Sequence, residues 1–162
     1  EEEVNVWKKD DAELLVIPMR RDKTLVGCQL IDIEGNKKFL YGQQTKGASF
    51  KIGAKGIAIF CEGFATGLSV RNALRSVGLP GSVVVCFSAS NMIQVADQIP
   101  GRRFVFADND ESKTGEKAAI ETGLPWTMAD QVGWDANDLH TKKGLFHLVK
   151  KIMDCRKGML VN

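Results

Sequence analysis

The sequence has no uninterrupted apolar run near the roughly 18 residues needed to cross a membrane. Nor does it open on a charged-then-apolar segment with a small-residue cleavage site, so neither a spanning helix nor a secretory leader is expected. It begins at Glu1 rather than Met, as a piece of a longer protein would. It has no C-x-x-C pair: Cys28, Cys61, Cys86 and Cys155 stand far apart, each in an apolar or helical context. That excludes a zinc ribbon and argues against a disulfide framework, leaving free thiols in a reducing cytoplasm as the expectation. Internal repeats and low-complexity tracts are absent. What is present is enough for a core. Leu, Ile, Val and Phe exceed a quarter of the 162 residues, a length that suggests one domain or one domain with a small appendage.

Net charge is only +2, but the charge is blocked. Residues 20–56 are strongly basic, 107–138 strongly acidic and 140–162 basic again. An acidic patch flanked by basic segments fits a metal site beside a polyanion track. The same charges also suit solvated helix faces and turns. Lys142, Lys143, Lys150 and Lys151 read as an ordinary solvated helix face.

The two halves differ in texture. Residues 14–52 read as short strands and tight turns: a β run at 14–17 stopped by Pro18, a strand at 24–33 ending in a turn at 32–36, then strands at 37–41 and 49–52, together a small antiparallel meander. The glycine-rich stretch 53–56 is the expected boundary, dividing an N-terminal β part (1–55) from the remainder (56–162). From there strands and helices alternate. Strands are expected at 57–61, 82–87, 103–107 and 126–128. Helices are expected at 65–77, from a Ser90 cap to 98, from a Thr114 cap to 121, and at 139–155. This alternation implies a largely parallel α/β sheet.

In open α/β sheets, ligands gather beyond the carboxyl ends of strands. Two apolar strands here run straight into acids: 57–61 into Glu62-Gly63, and 103–107 into Asp108-Asn109-Asp110. A carboxylate at the end of a buried strand is partly desolvated unless paired or bound to a cation. Asp108 and Asp110 can aim at one point, the carboxylate set that suits Mg²⁺ with waters and phosphates completing its shell. Taken singly, an Asp-x-Asp is also common turn chemistry. A third acidic group, Asp135, Asn137 and Asp138, precedes the last expected helix, which Asp138 could simply cap.

The strand IAIFCEGF with Glu62-Gly63, and FVFADND with Asp108 and Asp110, resemble the Toprim domain, the catalytic module of bacterial-type primases, topoisomerases and certain nucleases. The preceding residues carry "P-x-R", "G-x-Q-x-I" and "K-x-F-L" patterns similar to the region ahead of Toprim in primases. EGFATGLS and a late D-x-N-D-L (Asp135, Asn137, Asp138, Leu139) are similar to the branch found in plasmids, phages and integrated elements. The resemblance spans about residues 14–150. Thr66 and Asn137 stand where cellular primases carry further aspartates, leaving fewer carboxylates for a second metal; the plasmid and phage branch shares both changes.

The resemblance implies a Rossmann-like Toprim fold, a mostly parallel sheet flanked by helices, preceded by the meander. It implies Mg²⁺- or Mn²⁺-dependent nucleotidyl transfer that makes primers on single-stranded DNA from nucleoside triphosphates, with a helicase or other replication proteins as partners. Asp108 and Asp110 would hold metal, with Glu62 as metal ligand or general base. Arg20, Arg21, Lys37, Lys38, Lys46 and Lys51 would contact phosphates, which position a strand without reading its sequence. Three alternatives stand beside this reading. One is a non-catalytic module binding single-stranded DNA or a replication partner. Another is a Toprim nuclease. The last is a phosphatase of the haloacid dehalogenase type, whose opening Asp108-x-Asp110-x-Ser112 imitates. That motif normally sits on the first strand of its sheet, however, and would leave Glu62 idle.

Overall fold

The computed structural model describes residues 4–9, 12–53 and 55–158. Ala54, inside the expected boundary, lies outside them, as do residues 1–3 and 159–162 at the ends of the two expected segments. The described residues form two sheets. An antiparallel sheet has the order β1 (Asn5–Lys9), β2 (Ala12–Arg21), β3 (Thr24–Ile31), β4 (Lys37–Phe39). A mostly parallel sheet has the order β5–β7–β6–β8–β9: β5 (Phe50–Ile52), β6 (Ile57–Cys61), β7 (Gly81–Val85), β8 (Arg103–Ala107) and β9 (Trp126–Met128). β5 is its antiparallel edge. The helices are α1 (Phe64–Ser76), α2 (Ala89–Gln98), α3 (Thr114–Glu121), α4 (Ala136–Lys143) and α5 (Leu145–Gly158). None among the described residues is long and apolar enough to cross a membrane.

Every residue of β6 and β7 is buried. Their alternate side chains feed two cores, which is why these strands read as continuous apolar runs. Ile57, Ile59, Cys61, Val83 and Val85 pack with α1, α4 and α5. Ala58, Phe60, Val84 and Cys86 pack with α2 and α3. Ile17 of β2 enters the first core, joining the sheets, and Arg20 pairs through its backbone with Ser49. Asn91 of α2 pins the loop between the sheets: its side chain accepts from Gly47 N–H at 2.6 Å and donates to the carbonyls of Ala48 and Cys86.

Several local expectations change. β2 runs through Pro18 instead of stopping there. Pairing with β1 ends at Val16, and Cys28, opposite Pro18, gives its own N–H and carbonyl to the Gln43 side chain. A missing N–H at 18 therefore breaks no ladder bond. The strand expected to close the meander is β5, which pairs with β7. β1 arises in a stretch with no element expected. Ser88, not Ser90, caps α2, accepting from Asn91 N–H at 3.2 Å. The expected last helix is two, broken at Gly144, whose φ of 92° favours glycine. α4 starts three residues before Leu139, because Asp135 caps it in a reciprocal box with Asp138.

Candidate active site

β6 lies between β7 and β8, and the chain passes from β6 to β7 over one face through α1, then back across to β8 over the other through α2. The carboxyl end of β6 is thus the topological switch point, where open α/β sheets leave a crevice. Glu62 follows β6 and Asp108 follows β8, so the crevice is walled by acids.

Asp108 is the less comfortable of the two. Its Oδ1 is buried with no hydrogen-bond partner among the described residues. Burial first, then the charges of Glu62 and Asp135, push its carboxyl up to about 7, against the opposing charge of Lys37. Glu62 is raised by burial and by Asp110, and eased by the Ala89 N–H and by Lys37. Gln29, Lys37, Glu62, Gly63, Phe87 and Asp108 line one small cleft of about 110 Å³. Lys37 Nζ comes from β4 of the other sheet and lies against Gly63, 3.5 Å from where a Cβ would stand. A second cleft, about 210 Å³, shares Asp108 and adds Asn109, Asp110, Trp134, Asp135 and Asp138.

The remaining acids are better satisfied. Asp110, not Thr114, serves the start of α3: it accepts from the N–H groups of Thr114 (3.1 Å) and Gly115 (2.9 Å) and from the Ser112 hydroxyl. These bonds hold it down to about 2. It stays ionised and keeps a lone pair free on Oδ2. Asp135 accepts from the buried Thr66 hydroxyl at 2.7 Å and from Asp138 N–H at 2.8 Å. Asp138 pairs with Lys142 at 2.6 Å. Asn137 accepts from Ser69 at 3.2 Å, and Ser69 also meets His140 at 3.1 Å. Thr66 and Asn137, the two positions lacking an aspartate, thus bind α1 to α4. Gly115 packs so tightly that a Cβ there would drive into the Asp108 carbonyl.

Among the described residues, no three His, Cys, Asp or Glu side chains cluster closely enough to hold a metal by themselves. Mg²⁺ does not need that: one or two carboxylates, with waters and substrate phosphates, complete its shell. An orphaned, buried Oδ1 beside a second raised carboxylate fits such an ion.

The six bases do not form one face. Lys37 and Lys38 are neighbours on a strand, so they project to opposite sides. Lys37 reaches the acids, while Arg20 lines an apolar groove with Val16, Pro18 and Tyr41. Arg21 is held by Gln44 and the Lys46 carbonyl. Lys51 lies on β5, in the other sheet. Gln29, Phe87 and Trp134 were not marked by the sequence reading. Phe87 falls inside the strand expected at 82–87, whereas β7 ends at Val85 and leaves it just beyond the strand's carboxyl end.

No protein-family model matches the chain, and no curated protein matches it in sequence. A solved structure does match: the bacteriophage T7 lagging-strand DNA polymerase interacting with primase domains of two gp4 subunits bound to an RNA/DNA hybrid and dTTP. The TM-score is 0.62 at 20% identity, over 93% of this chain and 80% of the matched one. The matched chain is thus of similar size. The likeness is one of fold: this chain has the α/β architecture of a primase domain, an antiparallel sheet ahead of a mostly parallel sheet flanked by helices.

Proposed function

We propose that the chain is the catalytic core of a Toprim DNA primase, of the branch found in plasmids, phages and integrated elements, acting in the cytoplasm. It joins nucleotides on a single-stranded DNA template in a reaction that needs Mg²⁺ or Mn²⁺. The observation that carries this reading is Asp108: a buried carboxylate with an orphaned oxygen, facing Glu62 across the switch point of a primase-like fold. A cation shared between substrate and protein would stabilise such a pair in its charged form.

Asp108 would hold the ion, with Asp110 on the open side and Glu62 either as a further ligand or as the general base. When bound, it supplies charge neutralisation on the transferring phosphoryl group. As general base, Glu62 would take the proton of the attacking hydroxyl. Lys37 binds a phosphate from the opposite sheet. The division of labour proposed is residues 1–55 as the nucleic-acid part and 56–162 as the catalytic part. Arg20, Arg21, Lys38, Lys46 and Lys51 then track phosphates over more than one face. Nucleoside triphosphates, template, and a helicase or other replication proteins are the partners this implies.

The test is primer synthesis on single-stranded DNA with labelled nucleotides, over a Mg²⁺ and Mn²⁺ series. Glu62→Gln should keep template binding and lose about 10²–10⁴-fold in synthesis. Full activity in Glu62→Gln would overturn the mechanism. Template binding without synthesis at any metal concentration would leave a binding module.

A further inference from the structure

β6 and β8 end at the acids; β7 ends just before Phe87. Phe87 has φ 69°, a conformation that favours glycine and is an outlier for so bulky a side chain. The turn explains the geometry. Cys86 N–H donates to the Cys61 carbonyl and Phe87 N–H to the Glu62 carbonyl, both at 2.8 Å, and Ser88 then caps α2. Glycine would make the same turn without strain, so the turn does not explain the ring.

What the ring contributes is its place. It is half-buried, with one side against the core and another lining the cleft with Lys37, Glu62 and Asp108. Phe39 stands edge-on to it, ring centres 6.3 Å apart and planes at 78°. Phe39 and Lys37 project from the same side of β4, so one short strand carries both the ammonium that lines the cleft and the ring that abuts Phe87. Phe39 itself is 45% exposed. An apolar aromatic wall beside a cation and two carboxylates suits a planar base attached to phosphates. Sequence-tolerant stacking on aromatic rings is the usual way a single strand is held.

Resting on the primase reading, we propose that Phe87, braced by Phe39, stacks a nucleobase in the Glu62–Asp108 cleft. The base belongs either to a nucleoside triphosphate or to the template strand. Phe87 is a binding residue, not a catalytic one. Strain at a strand end beside the acids is in keeping with a residue retained for its ring.

The full chain is compared with Phe87→Leu, Phe87→Tyr and Phe87→Gly. Leu keeps apolar bulk without a ring, Tyr keeps the ring, and Gly removes the ring while relieving the backbone. One arm measures anisotropy of a labelled oligodeoxythymidine without divalent ions. The other measures binding of a nucleoside triphosphate with Mg²⁺ and no template. Phe87→Leu and Phe87→Gly should bind about tenfold or more weakly in the arm that supplies the base, the size expected for one stacked base. Phe87→Tyr should bind as wild type does. The oligonucleotide salt slope should not change, because phosphate contacts are intact. Thermal unfolding should be no lower for Phe87→Gly than for Phe87→Leu.

Loss in the first arm assigns the template as the source, and loss in the second the nucleotide. If Phe87→Leu binds both probes as wild type does, if weakening follows loss of thermal stability across the three variants, or if wild type binds neither probe, the proposal falls. Failure of the primase reading would look different: wild type would make no primers while the Phe87→Leu binding defect persisted.

Discussion

Asp108→Asn should change the stability of the metal-free protein by an amount that depends on pH, because the charge it removes is confined to one pH window. The folded carboxyl titrates at about 7, against an ordinary 3.8. Below the ordinary value both folded and unfolded chains hold the proton, and the group costs nothing. As pH rises from there, the unfolded chain releases its proton first, so stability falls. The fall is complete once pH passes the folded value. At about 1.4 kcal/mol per pH unit of separation, the full fall is about 4 kcal/mol, and the part between pH 5 and pH 8 is about 2.5 kcal/mol. Asn keeps the shape and cannot ionise. Measured by urea unfolding in EDTA, the stability of Asp108→Asn minus that of wild type should therefore grow by about 2.5 kcal/mol from pH 5 to pH 8. Adding Mg²⁺ at pH 8 should stabilise wild type by mass action and leave the variant almost unmoved. Parallel pH profiles for the two proteins would refute the burial argument. An equal Mg²⁺ response would refute Asp108 as a ligand.

The other predictions concern the parts that hold the site. Gly115→Ala should destabilise by about 1–3 kcal/mol, seen as a lower unfolding midpoint, because its Cβ meets the Asp108 carbonyl. Asp135→Ala should cost about 1–3 kcal/mol, losing both the α4 cap and the acceptor of the buried Thr66 hydroxyl. Thr66→Val should then add little in the Asp135→Ala background, which a double-mutant cycle would show. Asn91→Ala should leave the main-sheet amides protected in hydrogen exchange while those of Gly47 and Ala48 exchange faster, since it removes the bonds pinning that loop.

How much of this was legible in advance depended on whether the cause was local. β6 and β8 matched their expected bounds, because a five-residue run of mostly apolar residues between turn signals is too short for a helix and fits a strand covered on both faces. The acids that end those strands were legible for the same reason: a carboxylate straight after a buried run is at the rim of the sheet. Pairing between distant segments was not legible. Which sheet receives β5 rests on β7, more than thirty residues on, and whether Pro18 ends a strand rests on where β1 stops. The six bases share a sign and a stretch of chain, but strand alternation and the second sheet part them. Lys37 meets the acids only because Ile17 packs the antiparallel sheet against the main core. The roles of the acids divide the same way. Spacing put Asp108 and Asp110 together, but the α3 N-terminus satisfies Asp110 and the closed core around β8 leaves Asp108 unsatisfied. Solvation decides that difference, and solvation belongs to the assembled fold.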